Sequence, residues 1–172
     1  QSSGIGGGAF LLHWDGRSVR AWDGRETAPA AADERMLLGP DGQPQPFMRV
    51  VASGLSVGVP GAVRMLEAAH RQGGRLPWAR LFVPAIELAS EGFAVTPRLH
   101  ALLAADVALR RDERARRFYY QPDGTPRAVG QWLRNPALAE ILRRIATGGS
   151  DALHRGAVAA DLVARVRAHP EL

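Results

Sequence analysis

The sequence predicts an α+β fold, a β-hairpin followed by a mainly helical portion. Three observations predict it. An apolar run faces an alternating run across Asp15-Gly16, amphipathic stretches bounded by Gly and Pro recur from Ala62 onward, and apolar residues are plentiful enough for a core. The chain has 172 residues, 46% hydrophobic and 23% charged, about one ordinary domain and too apolar for a disordered chain. Cysteine is absent, which excludes disulfides, thiolate nucleophiles and cysteine–metal sites. No apolar run approaches the roughly 20 residues of a membrane-spanning helix.

Residues 1–30 are the β-rich part and residues 31–172 the mainly helical one. Ala9–Trp14 is continuously apolar but for His13, and so reads as a strand buried on both faces. Asp15-Gly16 turns the chain, and Ser18–Trp22 alternates polar with apolar. A short helix is expected near Ala32–Leu38, then a Gly/Pro loop from Gly39 to Pro46, and an extended Ser53–Gly61 leading into a helix. Ala62–Gln72 sets Ala62, Leu66 and Ala69 on one face, spaces Glu67 and Arg71 at i,i+4, and ends at Gly73-Gly74. Pro77–Ser90 carries Leu81, Ala85 and Leu88 on one stripe, with Pro84 in a first turn or at a kink and Gly92 closing the element.

Thr96-Pro97 is a cap followed by a first-turn proline. The helix it starts buries Leu99, Leu103 and Val107, then frays into the charged Arg110–Arg117 stretch. Tyr119–Gly130 is a turn-rich connection. Asn135-Pro136 caps a helix that lines up Leu138, Ile141, Leu142 and Ile145 and ends at Gly148. Ser150 begins the last helical stretch; Gly156 interrupts it, and Val158, Leu162 and Val166 form a stripe beyond. A lone hairpin with a greasy first strand cannot satisfy its own edges, so a larger polypeptide is expected around this chain. The chain opens with Gln1 and has no charged segment leading into an apolar one, so any targeting segment is expected upstream or already removed.

All 22 basic residues are arginine, and net charge is +5. A basic binding module docking on nucleic acid or an acidic protein through Arg110–Arg117 is therefore one reading. Asp112 and Glu113 interrupt that run, and a solvated helix face is the other reading. Gly4-Ile5-Gly6-Gly7-Gly8 invites a phosphate loop, yet a strand follows the glycines where the dinucleotide motif needs a helix, so close backbone packing is expected. His13, His70, His100, His154 and His169 show no i,i+3 or i,i+4 pairing, so no metal site is expected. Ser53-Gly54-Leu55-Ser56 lacks the pattern of a nucleophile elbow.

The most informative stretch is Asp23-Gly24-Arg25-Glu26-Thr27-Ala28-Pro29, where a strand end meets a loop. The planar fork of Arg25 suits a substrate carboxylate; it equally suits a local pair with Asp23 or Glu26.

These residues carry a resemblance. Ser3–Phe10, Asp23–Pro29, Ser53–Gly61, Leu76-Pro77-Trp78, Pro84-Ala85-Ile86, Glu91-Gly92-Phe93 and the tail around Gly156 together resemble, in order, the large-subunit segment of gamma-glutamyltranspeptidases. The resemblance implies an N-terminal-nucleophile hydrolase with an αββα sandwich, of which this chain holds an incomplete part. It also implies a precursor that cleaves itself into large and small subunits. The exposed N-terminal threonine of the small subunit then attacks gamma-glutamyl amides such as glutathione and passes the glutamyl group to an amino acid, a peptide or water.

Arg25 matches the family arginine that grips the substrate's α-carboxylate. The catalytic threonine and most glutamate-binding side chains belong to the small subunit, so no catalytic residue is expected here, and this chain is expected to be silent by itself. Its partners would be that small subunit and the remainder of the large one. Neither a cofactor nor a metal is implied, and no nucleic acid. Family kin include acylases of beta-lactam side chains and depolymerases of poly-gamma-glutamate. Bacterial members imply a periplasmic or secreted location.

Overall fold

A computed structural model describes residues 4–169. The chain divides into two compact units. One is Ala79–Ala146; the other comprises the described parts of Ser2–Trp78 and Thr147–Leu172.

The second unit holds the expected hairpin. Strand β1 (Ala9–Trp14) pairs antiparallel with β2 (Val19–Gly24), from Ala9 opposite Gly24 to Trp14 opposite Val19. The loop between them is built by Asp15, whose carboxylate accepts the N–H groups of Arg17 and Ser18 at 2.8 and 2.9 Å while Gly16 takes φ 98°. Those backbone bonds, Ser18 first, hold the Asp15 carboxyl below its ordinary range.

Alternation then sorts the side chains. Leu11, His13, Arg20, Trp22 and Gly24 share the face that meets α2 (Ala62–Gly73). A methyl on Gly24 would lie 2.5 Å from Met65 Cβ, the ring of His13 lies over Gly73, and Arg20 Nη1 donates to Gln72 Oε1 at 3.1 Å. The opposite face carries Phe10, Leu12, Trp14 and Val19, exposed by 70, 75, 60 and 62%. The expectation that β1 is buried on both faces is thus corrected: only one face is covered, because the described residues supply no second layer against the other.

The short helix expected near Ala32–Leu38 is replaced by successive turns. Asp33 accepts the Arg35 N–H at 2.8 Å, a local bond that competes with the helical one. The Gly39–Pro46 loop is present, pinched by pairing of Leu38 with Pro44, and leads to an unexpected short helix α1 (Phe47–Val51). Ser53 caps a 3-10 turn over Gly54–Ser56, so the extended segment starts at Val57 rather than Ser53. Helix α2 buries Ala62, Val63 and Met65, while Leu66 is exposed, a face rotated from the expected one because Gly24 of the hairpin receives Met65. Helix α7 (Asp151–His154) follows Ser150, Gly156 breaks it at φ 67°, and α8 (Gly156–Ala168) packs on the Gly54–Ser56 turn. Along α8 the expected stripe is half-covered at Val158 and Val166 and exposed at Leu162.

The Ala79–Ala146 unit has its own core of Ala89, Val95, Leu103, Tyr120, Leu133, Ala139, Leu142 and Ile145. A 3-10 turn over Trp78–Phe82 precedes α3 (Val83–Glu91), where Pro84 stands in the first turn as expected and Gly92 ends the helix at φ 102°. The stripe Leu81, Ala85 and Leu88 is exposed, and Ala89 is the buried residue of α3. Two two-residue strands, β3 (Phe93–Ala94) and β4 (Trp132–Leu133), pair antiparallel where no strand was expected.

Helix α4 (Pro97–Ala105) starts on the Thr96 hydroxyl, which accepts the Leu99 N–H at 3.1 Å. It ends at Asp106 with Val107 exposed. The charged stretch is turn through Asp112 and then, rather than fraying, forms α5 (Glu113–Tyr119), capped by the Asp112 carboxylate, which accepts the Ala115 N–H at 2.7 Å. Asn135 likewise caps α6 (Pro136–Gly148), which buries Ala139, Leu142 and Ile145. None of the described helices is long and apolar enough to cross a membrane.

Candidate functional site

Strand β2 ends at Gly24, and the Asp23 carboxylate folds forward to accept the Arg25 N–H at 2.8 Å. That turn lifts Arg25 off the hairpin, leaving its side chain 60% exposed at the place where scaffold becomes loop. Two residues on, Thr27 exchanges both backbone hydrogen bonds with Val59 (3.3 and 2.8 Å), so the loop is pinned on its far side as well.

Between these anchors sits Glu26. Its Oε2 lies 3.1 Å from Arg25 Nη1, without the alignment of a hydrogen bond, and is shut away from solvent. Glycines enclose that carboxylate. A methyl on Gly8 would overlap Glu26 Oε2 and stand 2.8 Å from Arg25 Cα; one on Gly58 would stand 2.8 Å from Glu26 Cβ. One on Gly61 would meet the Gly24 and Arg25 carbonyl oxygens at 2.5 and 2.7 Å. The Gly7 carbonyl accepts the N–H groups of Gly61 (3.3 Å) and Ala62 (3.1 Å). Those are the donors an anion at the start of α2 would need, so the end of the glycine run, Gly7-Gly8, serves close backbone packing, the expected reading. The result is an exposed guanidinium with one carboxylate neighbour on a tightly packed floor, able to add a charge-assisted, bidentate contact to a carboxylate ligand.

The structure brings Arg25 and Glu26 together, and Asp23 serves the turn by accepting a backbone N–H. It does not gather the histidines. His13 lies against Gly73, His70 Nε2 is 2.8 Å from the Leu76 carbonyl, and His100 Nδ1 is 2.9 Å from that of Arg127. No group of three metal-binding side chains occurs among the described residues.

Ser53 and Ser56 are engaged in capping bonds with neighbouring backbone. Within the arginine-rich stretch, Arg110 donates to the Ala104 carbonyl at 2.8 Å and covers the Tyr120 ring, and Arg117 pairs with Glu113. The glycine floor under Glu26 is the part that sequence reasoning missed. Its glycines come from two separate segments, and the signal available was their density on either side of the Arg25 stretch.

A family model described as Gamma-glutamyltranspeptidase matches residues 1–170. Among curated proteins, Glutathione hydrolase 3 of Arabidopsis thaliana is 38% identical over 168 residues, covering 96% of this chain and 25% of that protein. The chain spans about a quarter of the length of the curated relatives it matches. Among solved structures, the gamma-glutamyltranspeptidase of Helicobacter pylori superimposes with a TM-score of 0.90 at 28% identity, covering 98% of this chain and 48% of that one. A cephalosporin acylase from Bacillus halodurans gives 0.76 at 27% identity, covering 94% and 31%. With a family match that runs through the hairpin, the arginine loop and the helices that carry them, this chain belongs to the gamma-glutamyltranspeptidase family.

Proposed function

We propose that this chain is the part of a gamma-glutamyltransferase or glutathione hydrolase that supplies scaffold and the arginine for the α-carboxylate of a gamma-glutamyl substrate. The observation that carries the reading is Arg25: exposed at a strand end, fixed by the Asp23 turn, and backed by Glu26 on a glycine floor. A substrate carboxylate facing that fork gains bidentate contacts that a surface arginine on a mobile loop would not hold.

The nucleophile, an N-terminal threonine of a small subunit, lies outside this chain in this reading, and the chain alone is silent. The glutamyl group passes from that threonine to an amino acid, a peptide or water. The hairpin supports the same picture at the level of architecture. With α2 on one face and an apolar opposite face, it is one helix–sheet pair of an αββα sandwich whose second sheet would cover Phe10, Leu12 and Trp14. A periplasmic or secreted location belongs to the same proposal.

The likeness to a cephalosporin acylase favours a second reading, in which the acyl group lacks an α-amino acid headgroup. One experiment separates the two. Arg25→Gln in the intact protein should lower kcat/KM for a gamma-glutamyl anilide by about 30- to 150-fold, the effect of about 2–3 kcal/mol of charged contact, mostly through KM. Turnover of a 4-aminobutyryl anilide, which keeps the amine but has no α-carboxylate, should be nearly unchanged. Equal losses on both substrates would overturn the assigned role, and preference of the unsubstituted protein for a glutaryl anilide, which lacks the α-amine, over the gamma-glutamyl one would favour the acylase.

A further inference from the structure

His154 is the last residue of α7, and both of its ring nitrogens face carbonyl oxygens. Nδ1 is 2.9 Å from the Ser150 carbonyl and Nε2 is 2.8 Å from the Pro60 carbonyl. A carbonyl oxygen only accepts. A neutral imidazole has one N–H and one lone pair, so it can satisfy one of these contacts and must set its lone pair against the other oxygen. Only the doubly protonated ring satisfies both.

The Ser150 contact is local, four residues away. The Pro60 contact spans 94 residues of sequence and ties α7 to the segment entering α2. Pro60 follows Val59, which carries the backbone pair to Thr27, and precedes Gly61, which lies under the Gly24 and Arg25 carbonyls. We propose that His154 is a proton-dependent tie, joined when its ring carries both protons and half-released when the ring is neutral, that holds the Val57–Gly61 segment on which the Arg25 loop rests.

The charges around it leave this role to the imidazole. On its own helix Asp151 is paired with Arg64 of α2 (2.9 Å) and with Arg155 (3.3 Å). Glu67 of α2 is taken by Arg71 and by the Ser150 N–H and hydroxyl. On α8, Asp161 pairs with Arg165, and Arg167 is exposed. These carboxylates are engaged by arginine, so within the described residues His154 is the side chain whose own proton count sets the number of bonds to Pro60. The ring is half-buried, which leaves it open to exchange protons with solvent.

The proposal is independent of the substrate reading, because it is tested without turnover. Hydrogen exchange of the intact protein, expressed as protection relative to the intrinsic rate at each pH, is followed between about pH 5.5 and pH 8, where histidine changes charge. Peptides holding the Thr27 and Val59–Ala62 amides should lose protection about fivefold or more as pH rises, the effect expected from about one lost hydrogen bond. Peptides of α6 serve as the internal reference. In His154→Phe and in the milder His154→Gln, which offers a single donor group, the same peptides should be weakly protected with no pH dependence. If His154→Phe fails to fold, His154→Gln and the unsubstituted titration still decide. A flat unsubstituted profile, or variants whose profiles superimpose on it, would overturn the tie.

Discussion

Gly8 has no room for a side chain. A methyl there overlaps Glu26 Oε2 and comes within 2.8 Å of Arg25 Cα, and while the carboxylate could swing aside, the backbone atom could not. Gly8→Ala should therefore cost about 1–3 kcal/mol, the usual range for overpacking a tight site, and should raise KM for a gamma-glutamyl substrate because the Arg25 backbone is what moves. Gly6→Ala is the control, since nothing lies within 4 Å of its added methyl. Thermal unfolding and steady-state kinetics of the two variants check both halves, and equal behaviour would sink the argument.

At this scale the sequence was readable where chemistry is local. The arginine, the turn carboxylate before it and the acid after it stand within four residues of one another. The floor beneath them was not readable, because Gly8, Gly58 and Gly61 meet only after α2 has docked on the hairpin.

At the scale of elements, the ends of helices were more legible than their faces. Thr96 and Asn135 each accept the N–H three residues on, as their types predict, and Pro84 sits in a first turn. Periodicity misplaced the buried faces of α2 and α3 because several faces of each carry apolar or small residues, and tertiary contact picks among them. Strands β3 and β4 are two residues long, too short for any alternation to show.

The joint between α2 and α7 was equally hidden, since Glu67 and Ser150 are 83 residues apart. The Glu67 carboxylate accepts the Ser150 N–H at 3.0 Å, the Ser150 hydroxyl, and Arg71 Nη2 at 2.8 Å. The Ser150 hydroxyl, more than any other group, holds its carboxyl below the ordinary range. A lowered folded-state value means that the stabilisation is complete above the unfolded-state value and is lost as pH falls through the folded one. Ser150→Ala should therefore destabilise the protein by about 1–2 kcal/mol near neutral pH and by progressively less under acid conditions. Denaturant titrations of both forms down to about pH 3 check this, and a difference that stays constant or grows in acid would refute the assignment.

At the scale of the whole molecule, the open face of the hairpin is the feature that a single chain does not explain. Phe10, Leu12, Trp14 and Val19 lie side by side by register, each at least 60% exposed, while the reverse face is covered by α2. A strand row of that composition left in water invites pairing and aggregation, and a second sheet laid over it removes the hazard. The chain spans about a quarter of its curated relatives, so the proposed sandwich has ample sequence from which to draw that sheet.

The two situations predict different costs for one substitution. Leu12→Asp puts a charge where this chain alone leaves 75% of the residue exposed, so the isolated chain should lose no more than about 0.5 kcal/mol. In the intact protein the same aspartate would be sealed between two sheets without a partner, a change that costs several kcal/mol. The soluble yield of folded, active protein should then collapse. Leu12→Met, which keeps the volume, should be tolerated in both settings. Comparing unfolding of the isolated chain with yield and activity of the intact protein tests the contrast. An intact protein that accepts the aspartate would mean that this face meets water, and the αββα reading of the hairpin would have to be abandoned.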